Sequence, residues 1–388
     1  MANSLSDRLP SQKEKYSLWD KLFIWKDRLI ASRQFQKDVS RIPLLSTISQ
    51  HRAKGVFDLM AGFVYSQILL GCVRINLFEH LANGPLTIDE LATKVDLPLK
   101  GLERLLLGAQ AIDLIETRQG RFALGALGAP LVGNQALLSM IEHHSALYQD
   151  LRDPITLLRG DLKEKALESY WPYITDQSEE LKSLSAVEKV AQYSELMSAS
   201  LPLVADEIID AYNFNQHQCL LDIGGGQGTF ISLLSPHTKN LKFKLFDLPG
   251  VATLAQEKLN TQLGQGRVQC IGGDFFNDPI PTGADIVTLI RVIFDHDDAR
   301  VKQLLRSIYQ SLPRGGRLLI AEPMADTPEL PAMGQAYFGF YLLAMGRGRP
   351  RSVQEITNFL KQVGFQKVKP VKNMMKINAQ IVLAEKLG

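Results

Sequence analysis

Between Cys219 and Ala321, five short apolar runs (Cys219–Ile223, Lys242–Phe246, Val268–Ile271, Ile286–Ile290 and Arg317–Ala321) alternate with stretches of helical period such as Thr229–Leu234 and Ala299–Leu312. Strands and helices taking turns in this way predict βαβ units, a parallel sheet and helices on both of its faces. The C-terminal part is therefore expected to be α/β, doubly wound and Rossmann-like. Ligands of such sheets bind at the carboxyl ends of the strands, so the residues that follow each run carry the chemistry.

The chain has 388 residues, too many for one core, and two stretches of different character precede the alternating part. Residues 1–54 read as a basic amphipathic arm, with ten Lys/Arg and five Asp/Glu in the first 52 positions. Leu18, Leu22, Trp25 and Leu29 share a helical face, ringed by Lys15, Lys21, Lys26 and Arg28. Such a helix can rest on an anionic membrane surface or pack on the body of the protein or a second subunit. Residues 55–196 read as a mainly helical winged-helix unit. Thr87 to Glu90 is a capping box, Leu102, Leu105, Leu106 and Ala109 continue a second helix, and Arg118-Gln119-Gly120 turns a hairpin. Its second helix offers only Lys100, Glu103 and Arg104 as charges, which is not the basic face that phosphate contacts require, so no nucleic acid is expected. Phe57 to Phe78 is apolar nearly all round and is expected to be buried, most naturally in a homodimer interface. Residues 197–388 form the third unit.

Composition narrows the class. Lys+Arg 43 against Asp+Glu 41 excludes a globally basic nucleic-acid binder, and 45% hydrophobic residues exclude a disordered chain. Cys72, Cys219 and Cys270 are too scattered for a zinc cluster, a CxxC motif or a disulfide framework, so no metal is expected and a reduced, cytoplasmic setting is. The longest uncharged stretch, Leu59 to Val73, is shorter than the roughly 20 residues a spanning helix needs.

The first run ends in Leu221-Asp222-Ile223-Gly224-Gly225-Gly226-Gln227-Gly228-Thr229. Glycines there permit a tight turn and a close ligand approach. Thr229 stands where a dinucleotide fingerprint needs its last glycine, which weakens a pyrophosphate reading. Gly224, Gly226 and Gly228 beside Asp222 instead suit S-adenosylmethionine, which has no phosphate and a cationic end that an acidic group favours. Asp247 ends the second run about 20 residues on, where it can accept both ribose hydroxyls. Asp274 and Phe275 follow the third, placed to bond and stack on adenine.

LDIGGGQGT, FDLPG, GDFF and LPRGGRLLIAEP resemble the class I S-adenosylmethionine-dependent methyltransferases. With the winged-helix half, residues 55–385 resemble the small-molecule O-methyltransferase family that includes the caffeate and acetylserotonin enzymes. GVFDLMAGFVYSQILLGCVRINLFEHLA and AYFGFYLLAMGRGRPRS are most similar to its carotenoid branch, the demethylspheroidene (hydroxyneurosporene) O-methyltransferases. The resemblance implies methyl transfer to the tertiary hydroxyl of an acyclic carotenoid in carotenoid biosynthesis, with peripheral contact at an inner or photosynthetic membrane through the arm. A related branch methylates a carbon of bacteriochlorophyllide and is the alternative. Gly224, Asp247, Asp274, Phe275 and Arg291 are implied around the cofactor.

One departure stands out. The family's plant members carry a His-Asp-Trp run whose histidine is the general base, and here that place is Phe294 in Arg291-Val292-Ile293-Phe294-Asp295-His296. His296 is then the nearest group with a suitable ordinary pKa, as base or as a loop residue. Asp295 either orients the substrate hydroxyl or caps the next helix. Glu322 matches one of two family carboxylates that flank the base; the other falls near Pro350. Met197, Phe294, Tyr337 and Tyr341 are the candidate substrate-lining residues, the tyrosines in an apolar helix that either lines a channel or is simply buried. Arg347, Arg349 and Arg351 are expected in a solvated loop.

Overall fold

The computed structural model describes residues 16–168, 200–327, 332–376 and 379–387. Helix α1 (Leu18–Ala31) starts at a reciprocal cap, with the Asp20 N–H donating to Ser17 Oγ and the Ser17 N–H donating to the Asp20 carboxylate. It buries none of its side chains, leaving Leu18, Trp19, Leu22, Phe23 and Trp25 exposed. After α2 (Arg33–Ser40), α3 (Pro43–Arg74) runs 32 residues without a break. The expected division at 54/55 therefore falls inside a helix.

The protomer itself buries only the second half of Phe57 to Phe78 and leaves the first half uncovered, where the expected homodimer interface would bury it. Cys72, Val73, Leu77 and Phe78 pack with Leu102, Leu106, Leu114 and Ile115, whereas Phe57, Leu59, Met60, Phe63 and Val64 are exposed on the protomer. An exposed apolar patch of that kind marks an interaction surface. By length and composition Leu45–Arg74 could also cross a bilayer, a possibility that counting uncharged residues had excluded. Its last turns are instead built into the core of the helical unit.

That unit continues through α4 (Leu77–Leu81), α5 (Ile88–Ala92) and α6 (Leu99–Ala111) to the hairpin β1 (Ile115–Arg118) and β2 (Arg121–Leu124), as the sequence predicts. The Thr87–Glu90 capping box is present. The two-residue turn has positive φ at both Gln119 (51°) and Gly120 (77°), the primed geometry that matches strand twist. Helices α7 (Gln135–Asp150) and α8 (Pro154–Arg159) follow. The 196/197 division and Met197 lie outside the described residues.

Beyond α9 (residues 200–211) lie β3 (Cys219–Ile223), α10 (Thr229–Leu234), β4 (Lys242–Asp247), α11 (Pro249–Leu263), β5 (Val268–Gly272), β6 (Ile286–Ile290), α12 (Asp298–Ser311) and β7 (Arg317–Glu322). After these come α13 (Gly339–Met345), α14 (Val353–Val363), β8 (Gln366–Val371) and β9 (Gln380–Glu385). The sheet order is β5-β4-β3-β6-β7-β9-β8, parallel except for β9, which runs antiparallel to both β7 and β8. Leu221, Ile223 and Leu289 face α12 and α14, while Leu220 and Leu245 face α9, α10 and α11. The order reverses between β3 and β6, which opens a crevice at their carboxyl ends.

Candidate active site

The glycine loop leaves β3 at that crevice. Gly224, Gly226 and Gly228 all hold φ near +60° (67°, 56° and 75°), which side chains rarely adopt. A Cβ on Gly224 would lie 2.8 Å from Val292, and one on Gly228 would lie 2.5 Å from Leu259. The space beside Gly226 is open, so a ligand can reach the backbone there. Asp222 is buried under the loop and accepts the Thr288 hydroxyl at 2.7 Å. Burial, with the nearby Asp247 charge, pushes its carboxyl up to about 7. Asp247 accepts the Gly226 N–H at 2.8 Å and the Leu248 N–H at 2.7 Å, one on each oxygen, which leaves a lone pair on each for a diol. Asp274 spends its carboxylate on its own turn, accepting the Phe276 N–H and the Asn277 amide, with Phe275 half-buried beside it. Arg291 ends β6 at φ 57° and bonds Ser200 at 2.8 Å. Left-handed backbone at a non-glycine residue costs about 1–3 kcal/mol and tends to occur at functional sites. Two buried carboxylates beside an open glycine cradle fit a ligand with a cationic centre and a ribose, as S-adenosylmethionine has.

The loop after β6 hangs from Glu322. Glu322 Oε1 accepts the N–H groups of Val292 and Ile293, both at 2.9 Å, while Oε2 is buried with no hydrogen-bond partner. Burial pushes this carboxyl up to about 7. Asp295 is buried too, and burial together with the Glu322 charge raises its carboxyl well above the ordinary range. It does not cap the next helix; Asp297 does, accepting the Arg300 N–H at 2.9 Å. The solvated-loop expectation for 347–351 is also corrected. Arg351 is 2% exposed and donates to the carbonyls of Ile293 (2.7 Å) and His296 (2.6 Å) and to Asp298. Arg349 pairs with Asp298 and Glu355 while staying partly exposed, and Arg347 is exposed. Only a glycine suits position 348, because a Cβ there would collide with the Phe294 carbonyl.

Two neighbours on this loop part company. Phe294 is buried in a cluster with Ala146, Leu147, Leu157, Tyr341 and Leu342, its ring 6.4 Å from Phe338. The His296 ring instead packs edge-on against Phe276 (4.8 Å) and Phe275 (5.7 Å), on the expected adenine side. Burial, then the Arg300 and Arg351 charges, push it down to about 4.

The wall facing Phe294 holds polar groups that sequence reasoning missed. His143 Nε2 lies 2.9 Å from the Tyr341 hydroxyl, and His144 Nε2 lies 2.7 Å from that of Tyr337. Adjacent histidines in an apolar helix were the available signal, but their partners are almost 200 residues away. A surface groove beside Tyr212, Arg317 and Lys369 opens at the amino-terminal end of β7, away from these groups.

Asp247→Ala is expected to weaken S-adenosylmethionine binding by a few kcal/mol, since hydrogen bonds to a charged group are worth about 1.5–3 kcal/mol each. Unchanged calorimetric affinity in the folded variant would remove Asp247 from the ribose site. Glu322 carries a pH signature. Its folded pKa near 7 exceeds the ordinary value of 4.5, so the folded state holds a proton that the unfolded chain releases. This group's stabilisation is complete below about pH 4.5 and declines as pH rises to about 7, by up to about 1.4 kcal/mol per pH unit. Glu322→Gln keeps the acceptor for Val292 and Ile293 but cannot ionise. Denaturation of the cofactor-free variant should show a shallower decline across this window, and an unaltered slope would show that Glu322 is ionised in the folded protein.

Comparison with known proteins agrees with both halves. Residues 57–134 match the O-methyltransferase dimerisation domain, and residues 148–366 match the O-methyltransferase domain. Demethylspheroidene O-methyltransferase of Cereibacter sphaeroides is 37% identical over 343 residues, covering 88% of this chain and 89% of that protein. Its namesake in Rhodobacter capsulatus is 34% identical over 360 residues, covering 92% and 88%. The solved structure of human N-acetylserotonin methyltransferase with SAM has the same fold, with a TM-score of 0.70 at 24% identity over 87% of this chain and 98% of that one. The chain belongs to the S-adenosylmethionine-dependent O-methyltransferase family, whose N-terminal domain forms the homodimer.

Proposed function

We propose that the enzyme methylates the tertiary hydroxyl of an acyclic carotenoid. The observation that carries this is Phe294. Where the resemblance calls for a basic histidine, an apolar ring closes a wall with Leu147, Phe338 and Leu342. A phenol gains from being ionised near neutral pH, but a tertiary aliphatic alcohol is too weak an acid for a histidine to ionise beforehand. The apolar face at Phe294 and the loss of a base at that position therefore point to the same kind of acceptor. The names of the two bacterial relatives support it.

S-adenosylmethionine supplies the methyl group. Asp222, Gly226 and Asp247 would hold it, and Glu322 and Arg351 fix the loop that presents Phe294. The protein's contribution is then to hold the acceptor oxygen in line, a kind of help worth about 7–11 kcal/mol in favourable cases. His296, turned onto Phe275 and Phe276 and with its pKa pushed to about 4, assists weakly at most.

Incubation with labelled cofactor and a pigment extract should label a methyl ether of an acyclic carotenoid. Label on a bacteriochlorophyllide carbon or on a hydroxylated aromatic would replace this reading. Phe294→Ala should raise KM for the pigment, while His296→Ala should cost no more than about 100-fold in kcat, the lower end of a general base's contribution. A ten-thousand-fold loss in His296→Ala with normal cofactor affinity would make it the base.

We also infer that α1 rests on anionic lipid, where the substrate dissolves. Exposed Trp19, Leu22, Phe23 and Trp25, with Lys21, Lys26 and Arg28 beside them, support this. Deleting the segment before Pro43 should reduce co-sedimentation with anionic vesicles and leave cofactor affinity intact. Equal vesicle binding would assign α1 to the partner subunit instead.

A further inference from the structure

With Phe294 on the loop, the acceptor's proton still needs a destination, and the facing wall supplies one. We propose that Tyr337 and His144 take it, the tyrosine touching the acceptor hydroxyl and the histidine acting through the tyrosine. This deepens the reading of the chain as an O-methyltransferase with an alcohol acceptor.

The tautomer follows from the partners. His144 Nδ1 is hydrogen-bonded to the Met140 carbonyl. A carbonyl only accepts, so Nδ1 carries the proton and neutral His144 presents the Nε2 lone pair to the Tyr337 hydroxyl, 2.7 Å away. Tyr337 therefore donates to Nε2, and its oxygen keeps lone pairs for a substrate O–H. The two rings stack at 5.6 Å and 29°, which fixes the geometry. Tyr337 lies 4.8 Å from Phe338, whose ring is the one that meets Phe294. It also sits in a π-helical turn, Met333–Phe338, a rare conformation frequent at functional sites.

The neighbouring pair, His143 and Tyr341, is also joined from Nε2 to a hydroxyl, with its rings tilted at 56°, but has a different character. Both residues are buried, and burial, then His144 and Arg291, push His143 down to about 4. It makes a poor proton acceptor and holds Tyr341 beside Tyr337, the two rings stacked at 6.0 Å. His144 and Tyr337 are only half-buried, so substrate can reach the tyrosine and water can discharge the histidine.

The step balances. As the acceptor oxygen bonds to the methyl carbon, the carbon–sulfur bond breaks and sulfur keeps the electron pair. The hydroxyl proton passes to Tyr337 Oη while the phenolic proton moves to His144 Nε2. An ether, a neutral tyrosine and an imidazolium result, and the imidazolium returns its proton to water.

The test uses Tyr337→Phe, His144→Gln and His144→Ala in the purified full-length enzyme. Glutamine can still accept the tyrosine's hydrogen bond but cannot take a proton at neutral pH. The acceptor is whichever hydroxylated compound the wild-type enzyme methylates, so a wrong pigment assignment shows in the wild-type assay and leaves the variant comparison decisive. Acceptor affinity, cofactor affinity and single-turnover rate are measured separately. Tyr337→Phe and His144→Gln should bind both ligands within about threefold of wild type yet turn over about 100-fold more slowly, and added imidazole should partly restore His144→Ala. A His144→Gln rate within about threefold of wild type, or a loss confined to acceptor affinity, would overturn the proposal.

Discussion

One buried carboxylate governs the geometry of this site. Glu322 gathers the N–H groups of Val292 and Ile293 on a single oxygen, and Arg351 gathers the carbonyls of Ile293 and His296 from the other side. Burying a guanidinium and a carboxyl is costly unless their hydrogen bonds are met, and here the loop's backbone meets one Glu322 oxygen and part of Arg351, with Asp298 accepting from the rest of the guanidinium. The loop has no regular strand or helix to satisfy it, so this clamp decides where its side chains go. It sends Phe294 toward α13 and His296 toward Phe275 and Phe276.

The exception is Glu322 Oε2, which has no partner. A carboxyl held near 7 carries its proton for much of the time around neutral pH, and a neutral carboxyl tolerates such an environment far better than an anion does. Asp222, also near 7 under the glycine loop, and the raised Asp247 and Asp295 follow the same logic. A site that gathers buried carboxyls favours a cationic ligand, because binding one recovers part of the desolvation cost. The cofactor's charge and the protein's suppressed acids thus complement each other.

The helical half contributes more than a dimer surface. Its α3 enters the core of that unit from Ile68 onward and leaves Leu59, Met60 and Phe63 uncovered on the protomer, as a helix shared between subunits would. Its α7 reaches the other way, bringing His143 onto α13 and His144 onto the π-helical turn that precedes it. The wall against Phe294 is therefore built by segments almost 200 residues apart in the chain.

How far the sequence reached follows from the range of each interaction. The strands, the glycine loop, Asp247 and the capping box at Thr87 were legible because each depends on residues within a few positions, or on a spacing that the parallel sheet repeats. Phe294 was legible as a departure because its neighbours kept their pattern. The N-terminal course of α3 was legible as apolar and in need of a cover, but how much of it its own domain leaves bare shows only once the helix is placed. Arg351 looked like a surface residue among arginines and glycines, and only the fold supplies the carbonyls that make its burial affordable. The edge pair β8 and β9, the turning of His296 onto Phe276 and the meeting of His144 with Tyr337 likewise rest on contacts between segments distant in the chain or on their packing. Local pattern determined the fold and the glycine loop; tertiary packing alone decided which polar groups stand in the wall against Phe294, because burial and partnership do not exist until distant segments of the chain come together.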